Sequence, residues 1–204
     1  PKQTKYLDSS GTEQTVKVFD EIIKVKGQQS VSFPVRETVW GPITKTINSS
    51  FSLALLWTAQ QPGALNIGLT ELAKSQDLDQ ALLIAEGIGM PGQNLVIGDK
   101  NGRIAWRLTA QMPNRVGGCD KTAPIDPASG CDWQGWLAGA ENPILIDPTD
   151  HRLWTANNRV VDGQWLELVG NGGYALGARA KQIRDDLNSK KQFTEADLLA
   201  IQTD

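Results

Sequence analysis

Asn94-Leu95-Val96-Ile97-Gly98-Asp99-Lys100-Asn101-Gly102-Arg103-Ile104-Ala105-Trp106 is the stretch from which the fold is read. Two short apolar runs, Leu95-Val96-Ile97-Gly98 and Arg103-Ile104-Ala105-Trp106-Arg107-Leu108, face each other across Asp99-Lys100-Asn101-Gly102. Asn-Gly tolerates positive φ at both positions, so the segment predicts an antiparallel β-hairpin closed by a tight turn.

Upstream, the periodicity is helical. Between Ala64 and Lys74, Leu65, Leu69, Leu72 and Ala73 share one face and predict a helix. Asp77, with Gln80 three positions on, resembles a capping box for a second helix whose apolar stripe is Leu78, Ala81, Leu82 and Ala85. Gly87 and Gly89 end it. The first fifty residues have a period of two instead. Val16 and Val18, then Ile23 and Val25, alternate with polar neighbours, Gly27-Gln28 turns, and Val31, Phe33 and Val35 resume the pattern. Pro34 in the last run predicts an edge strand, because proline has no N–H for a ladder. Gly41-Pro42 breaks the strand, and Phe51, Leu53 and Leu55 begin another.

Downstream, Cys119 and Cys131 bracket a loop rich in Pro, Asp, Ser and Gly, followed by Trp133-Gln134-Gly135-Trp136. Short strands are expected near Ile144 to Ile146 and Leu153 to Ala156. In the tail, Leu176, Ala180, Ile183 and Leu187 form a narrow helical stripe, with Arg179 about 70° from its centre. Thr194 with Asp197 reads as a further cap, ahead of Leu198, Leu199 and Ile201. The chain therefore reads as α+β: a β-rich part over 1–56, a helical part over 57–90, hairpins and loops over 91–160, and a loop with helices over 161–204.

The 204 residues suffice for a real core, and 40% hydrophobic with 21% charged residues is ordinary for a globular protein. A net charge of −3 argues against nucleic acid as a partner. No apolar run is long enough to span a membrane, and Pro1-Lys2-Gln3-Thr4-Lys5 has no apolar region behind it to make a signal peptide. Two cysteines and the single His151 cannot build a four-ligand zinc site. The cysteines are either free loop thiols or, as favoured here, a disulfide worth roughly 2–3 kcal/mol that would place the chain in an oxidising compartment.

Trp154-Thr155-Ala156-Asn157-Asn158-Arg159, the glycine loop Gly170-Asn171-Gly172-Gly173 and Gly177-Ala178-Arg179 hold the candidate chemistry. Paired asparagines ordinarily build turns by bonding their own backbone. The functional reading gives one carboxamide N–H to a developing oxyanion, worth ~3 kcal/mol of transition-state stabilisation. Arg179 reads either as a surface ion-pair partner or as a residue meeting a ligand or bracing the asparagine. The glycine run lacks the Lys-Ser/Thr ending of a phosphate loop. Trp133 and Trp136, among seven tryptophans, read as packing residues or as a sugar platform. His151, between Asp150 and Arg152, reads as solvent-facing. Pro1 raises a tautomerase base, with a chain boundary as the plainer explanation. An amide-cleaving site needs a nucleophile, a base and oxyanion donors; here donors are visible and a nucleophile is not.

From about Leu53 onward the order of segments resembles the β subunit of the penicillin acylase family of N-terminal-nucleophile hydrolases. The carrying segments are Asn94 to Trp106, Pro113-Asn114-Arg115, Asp132-Trp133-Gln134-Gly135-Trp136, Asn142-Pro143, Thr155-Ala156-Asn157-Asn158-Arg159 and Gly177-Ala178-Arg179. Arg36-Glu37-Thr38-Val39-Trp40-Gly41-Pro42 fits the strand before the family's Gly-Pro turn, with Trp40 where the family commonly has His. The resemblance implies part of an αββα sandwich made by self-cleavage of a periplasmic bacterial precursor. It implies an N-terminal serine that attacks a small-molecule acyl amide with its own α-amino group as base. It also implies Asn157 as the side-chain oxyanion donor and Arg179 as the active-site arginine; a one-residue slip would exchange Asn157 and Asn158. Ser9-Ser10 and Ser49-Ser50 are internal, so the chain is expected to be a central fragment, silent alone. Its implied partners are an α subunit and the N-terminal part of the β subunit. The family's structural calcium is left open for the full-length enzyme; the matching position here is Leu168, beside Glu167, which predicts no metal. The alternative expectation is a non-catalytic, Trp-rich binding or structural domain on the same scaffold.

Overall fold

The computed structural model describes residues 4–203; Pro1, and with it the tautomerase reading, lies outside them. The chain begins with β1 (Lys5–Leu7), β2 (Glu13–Thr15), β3 (Lys17–Ile23), β4 (Val31–Thr38), β5 (Gly41–Thr46) and β6 (Ser52–Ala54). There follow α1 (Leu78–Glu86), β7 (Gln93–Gly98), β8 (Ile104–Thr109), β9 (Pro113–Val116), β10 (Asp132–Trp136) and β11 (Ile144–Ile146). The chain ends with α2 (Gly163–Val169), α3 (Ala178–Leu187) and α4 (Glu195–Thr203). Every strand pairing is antiparallel. The expected α+β character is what forms.

Two compact units divide these elements: residues up to Ala64 with 113–137, and residues 65–112 with 138 onward. In the first, β1 and β2 form a hairpin, β3-β4-β5-β6 a four-stranded sheet, and β9-β10 a separate pair. The β1–β2 turn is organised by Asp8, whose carboxylate accepts from the Ser10 and Thr12 amides at 3.0 Å and from Gln14 Nε2 at 2.8 Å. Tyr6 then ties the hairpin to the β4–β5 turn. Its hydroxyl accepts from the Val39 amide at 2.9 Å, and its ring meets Trp40 at 5.6 Å. That turn is built around Gly41, whose φ of 129° and missing Cβ let the chain approach the Leu55 carbonyl, 2.3 Å from where a Cβ would stand. Gly41-Pro42 thus opens β5 rather than merely ending a strand.

β4 is interior in strand order, yet at Pro34 it has a free side, so the proline occupies the edge position expected of it. The proline is tolerated because β5 meets β4 only at Glu37↔Pro42 and Thr38↔Gly41, so at Pro34 the ladder runs to β3 alone.

In the second unit, the hairpin read from sequence is β7–β8, with Ile97 opposite Ala105 and Gly98 opposite Ile104. Its turn differs in detail. Only Gly102 adopts positive φ, at 80°, and Asp99 Oδ1 accepts from the Asn101 and Arg103 amides. Three residues therefore close the loop, with glycine in the left-handed position. β11 completes the sheet on the far side of β8. Leu78, Ala81, Leu82 and Ala85 are all buried, and Leu78 and Leu82 pack on Ala105 with Ile97 and Ile144 beside them. Asp77 caps α1 as expected, accepting from the Gln80 amide at 2.9 Å. Where the α1 end meets the Gly139 turn, Arg107, 1% exposed, donates to the Gly139 carbonyl with Glu86 3.8 Å away.

The helix predicted over 64–74 is instead a 3₁₀ segment, Gly68–Lys74, with Leu65 and Leu69 exposed. Asn66 explains the break, because it takes the Gly68 and Gly89 amides on Oδ1 and gives Nδ2 to the Gly87 carbonyl. Such side-chain bonding competes with the helical ladder. The strand expected at Leu153 to Ala156 is irregular, and α2 was not anticipated. Leu176 precedes α3 and is 91% exposed, so the stripe on that helix reduces to Ala180, Ile183 and Leu187.

Candidate active site

Asn157 sits at a bend between the irregular 151–156 stretch and α2; Arg179 sits in the first turn of α3. Between them runs the 170–177 loop. Gly170 and Gly173 take positive φ there, and Tyr174 donates its hydroxyl hydrogen to the Gly170 carbonyl at 2.9 Å. The loop folds back so that the Ala175 amide donates to the Asn157 carbonyl at 2.9 Å. Residues twenty-two apart in sequence then meet: Arg179 donates from a terminal guanidinium nitrogen to Asn157 Oδ1 at 2.9 Å.

That bond has a chemical consequence. A guanidinium only donates, so the carboxamide atom facing it must be the oxygen. The amide is thereby turned with its NH2 away from Arg179, as a donor for something else. The helix dipole does not favour a cation in the first turn of a helix. The bond to Asn157 offsets that cost, which a solvent-facing arginine would not recover. Both side chains are exposed in this chain.

Asn158 is engaged differently. Its Nδ2 donates to the neighbouring Arg159 carbonyl at 2.7 Å, and its Oδ1 is buried without a hydrogen-bond partner. Of the two adjacent amides, the geometry leaves the donor of Asn157 open and occupies that of Asn158. Thr155 Oγ1 is likewise buried and unpartnered. Sequence reasoning did not single out Ala175 or Thr155; the glycine-rich composition of 170–173 was the available signal that the loop could fold back.

The other candidates resolve into structure. Trp133 is stacked by the Arg115 guanidinium, 5.5 Å from the ring centroid, and burial pushes that guanidinium's pKa down. Trp136 donates its indole N–H to the Pro62 carbonyl at 3.0 Å. A bulge at Gly135 brings the two rings to one face, yet each is committed to packing rather than left as a bare platform. His151 is exposed, with φ 53°, in the turn that starts at Pro148. Cys119 and Cys131 are bonded, with Cα atoms 6.1 Å apart. Glu167 and Leu168 lie on α2, and among the described residues no group of three or more His, Cys, Asp or Glu is placed to hold a metal ion. Among them also, no helix is long and apolar enough to cross a membrane.

The chain is 28% identical, over 98% of its length, to an acyl-homoserine lactone acylase QuiP of Pseudomonas fluorescens. It is 27% identical, over 89% of its length, to penicillin acylase 2 proenzyme of a Pseudomonas species. It spans only 25% and 24% of those proteins, respectively. A thermostable penicillin G acylase from Alcaligenes faecalis superposes with a TM-score of 0.80 at 18% identity, covering 98% of this chain and 36% of that one. That likeness assigns the fold, that of an N-terminal-nucleophile hydrolase. The family model described as penicillin amidase matches residues 1–204, end to end, and the chain belongs to the penicillin amidase family.

Proposed function

We propose that this chain is part of an acyl-amide hydrolase in which Asn157 donates from Nδ2 to the oxyanion of the tetrahedral intermediate and Arg179 holds it in that orientation. The carrying observation is the 2.9 Å bond from Arg179 to Asn157 Oδ1, which presents the amide as a donor. A donor fixed in advance costs nothing to reorganise when charge develops on the substrate oxygen. The attacking hydroxyl and its α-amino base come from acylase polypeptide outside these 204 residues, as do the α subunit and much of the acyl pocket. The substrate is an acyl amide of the kind named in the relatives, a penicillin or an acyl-homoserine lactone. The Cys119–Cys131 bond supports a periplasmic or secreted setting, since such bonds persist where the environment is oxidising.

The test is hydrolysis of phenylacetyl and acyl-homoserine lactone amides. The 204-residue chain alone should be silent. The whole acylase containing it should be active and should lose about 10²–10³ in kcat on Asn157→Ala. Turnover by the chain alone, or an Asn157→Ala enzyme with full activity, refutes the assignment.

A further inference from the structure

Gly170, Gly172, Gly173 and Gly177 make up half of the 170–177 loop, and glycine backbone loses the most freedom when it is ordered. Leu176, the loop's one large aliphatic side chain, is 91% exposed, so packing does not anchor it. Two hydrogen bonds close the loop nonetheless. Tyr174, half-buried, donates its hydroxyl hydrogen to the Gly170 carbonyl at 2.9 Å. Gly170 is itself fixed to the end of α2, its amide donating to the Leu166 carbonyl at 2.8 Å. One residue beyond Tyr174, the Ala175 amide reaches the Asn157 carbonyl at 2.9 Å. The tyrosine hydroxyl thus pins the loop against a helix end, and the very next backbone amide tethers Asn157.

We propose that Tyr174 is a positioning residue for acyl-amide cleavage, its hydroxyl latching the 170–177 loop closed so that Ala175 fixes the backbone of Asn157 while Arg179 orients its carboxamide. This rests on the acylase reading above and adds to it the element that sets the donor's place. An open loop withdraws the Ala175 amide from the Asn157 carbonyl. The 2.9 Å bond from Arg179 is then left to hold an exposed side chain on an untethered bend. A neutral hydrogen bond favours the closed form about fivefold. A glycine-rich surface loop without it sits near balance, so the latched loop is closed in about five molecules of six. Tyr174→Phe keeps the ring, removes the donor and returns the closed fraction to about one half. Asn157 donates to charge that develops only in the transition state, so the loss falls on kcat and not on KM.

Millisecond hydrogen–deuterium exchange and steady-state kinetics on the whole acylase test this together. In Tyr174→Phe the Ala175 amide should exchange about threefold faster and kcat should fall about twofold, with KM unchanged. Tyr174→Phe should cost nothing further in the Asn157→Ala background. Rescue should come from Gly172→Ala. Gly172 lies outside the left-handed region and a Cβ there would meet nothing within 4 Å, so alanine limits the freedom of the open loop without straining the closed one. Added to Tyr174→Phe, it should restore slow exchange and most of kcat, which a tyrosine that merely touched substrate would not allow. Unchanged exchange in Tyr174→Phe overturns the proposal, as does a rise in KM. So does a loss that persists in the Asn157→Ala background or that Gly172→Ala fails to relieve. A protein that cleaves acyl amides with full kcat in Tyr174→Phe sinks the latch and spares the proposed function; a wild-type protein that cleaves none sinks both.

Discussion

Arg179→Met removes the guanidinium and keeps the aliphatic stem, which makes it the cleanest probe of whether Arg179 acts through Asn157. The bond lost is a single charge-assisted contact at 2.9 Å between exposed groups, worth about 1 kcal/mol rather than the larger figure for a buried ion. Without it the carboxamide no longer prefers one flip over the other. The donor-forward state is diluted about twofold, or ~0.4 kcal/mol. The bond itself is made in free enzyme and transition state alike and cancels, which leaves a drop of about twofold in kcat/KM for acyl-amide hydrolysis by the whole acylase. Asn157→Ala, which deletes the donor, should cost about 10²–10³. The decisive measurement is the double variant. If Arg179 works only by orienting Asn157, Arg179→Met should cost nothing further in the Asn157→Ala background. A tenfold loss in either background would mean that Arg179 contacts the substrate itself, and the orientation argument would be wrong.

Three further outcomes follow from the structure. Gly41→Ala should destabilise the first unit by about 2 kcal/mol or more, because a Cβ would stand 2.3 Å from the Leu55 carbonyl at a φ of 129°; urea titration with circular dichroism reads this. A near-neutral Gly41→Ala would show that the β4–β5 turn is not so tightly held. The Ser10 and Gln14 side chains hold the Asp8 carboxyl near pKa 2, and Lys190 with Thr194 does the same for Asp197, against an ordinary 3.8. A carboxyl depressed in the folded state stabilises it above the unfolded pKa, so the β1–β2 turn and the start of α4 should loosen as pH falls from about 4 to about 2. NMR titration of the two carboxyls checks this; midpoints near 3.8 would refute it. Reducing the Cys119–Cys131 bond should cost about 2–3 kcal/mol and speed amide exchange chiefly between 120 and 130, whereas unchanged unfolding after thiol reduction would exclude it as a stabilising link.

Much of the second unit was legible in the sequence because its signals are local. Asp77 caps α1 where the Asp-Gln spacing placed it, and the four residues of the α1 stripe are the buried ones. The β7–β8 hairpin forms in the expected place. The misreadings share a cause. The 64–74 leucines have helical spacing, but Asn66 bonds backbone from a turn twenty residues away and the segment tightens to 3₁₀. Leu176 matches the α3 stripe in spacing and yet lies outside the helix.

By itself the amino-acid order determined where the apolar stripes, caps and turns lie, and hence the α+β class and the family pattern. Those are properties of neighbours a few residues apart, governed by helical and pleated periods. The union of Asn157 with Arg179, the orientation of that amide and the local occupation of Asn158 were decided only in three dimensions. They depend on the 170–177 loop folding back until Ala175 reaches the Asn157 carbonyl, a long-range closure that no residue spacing encodes.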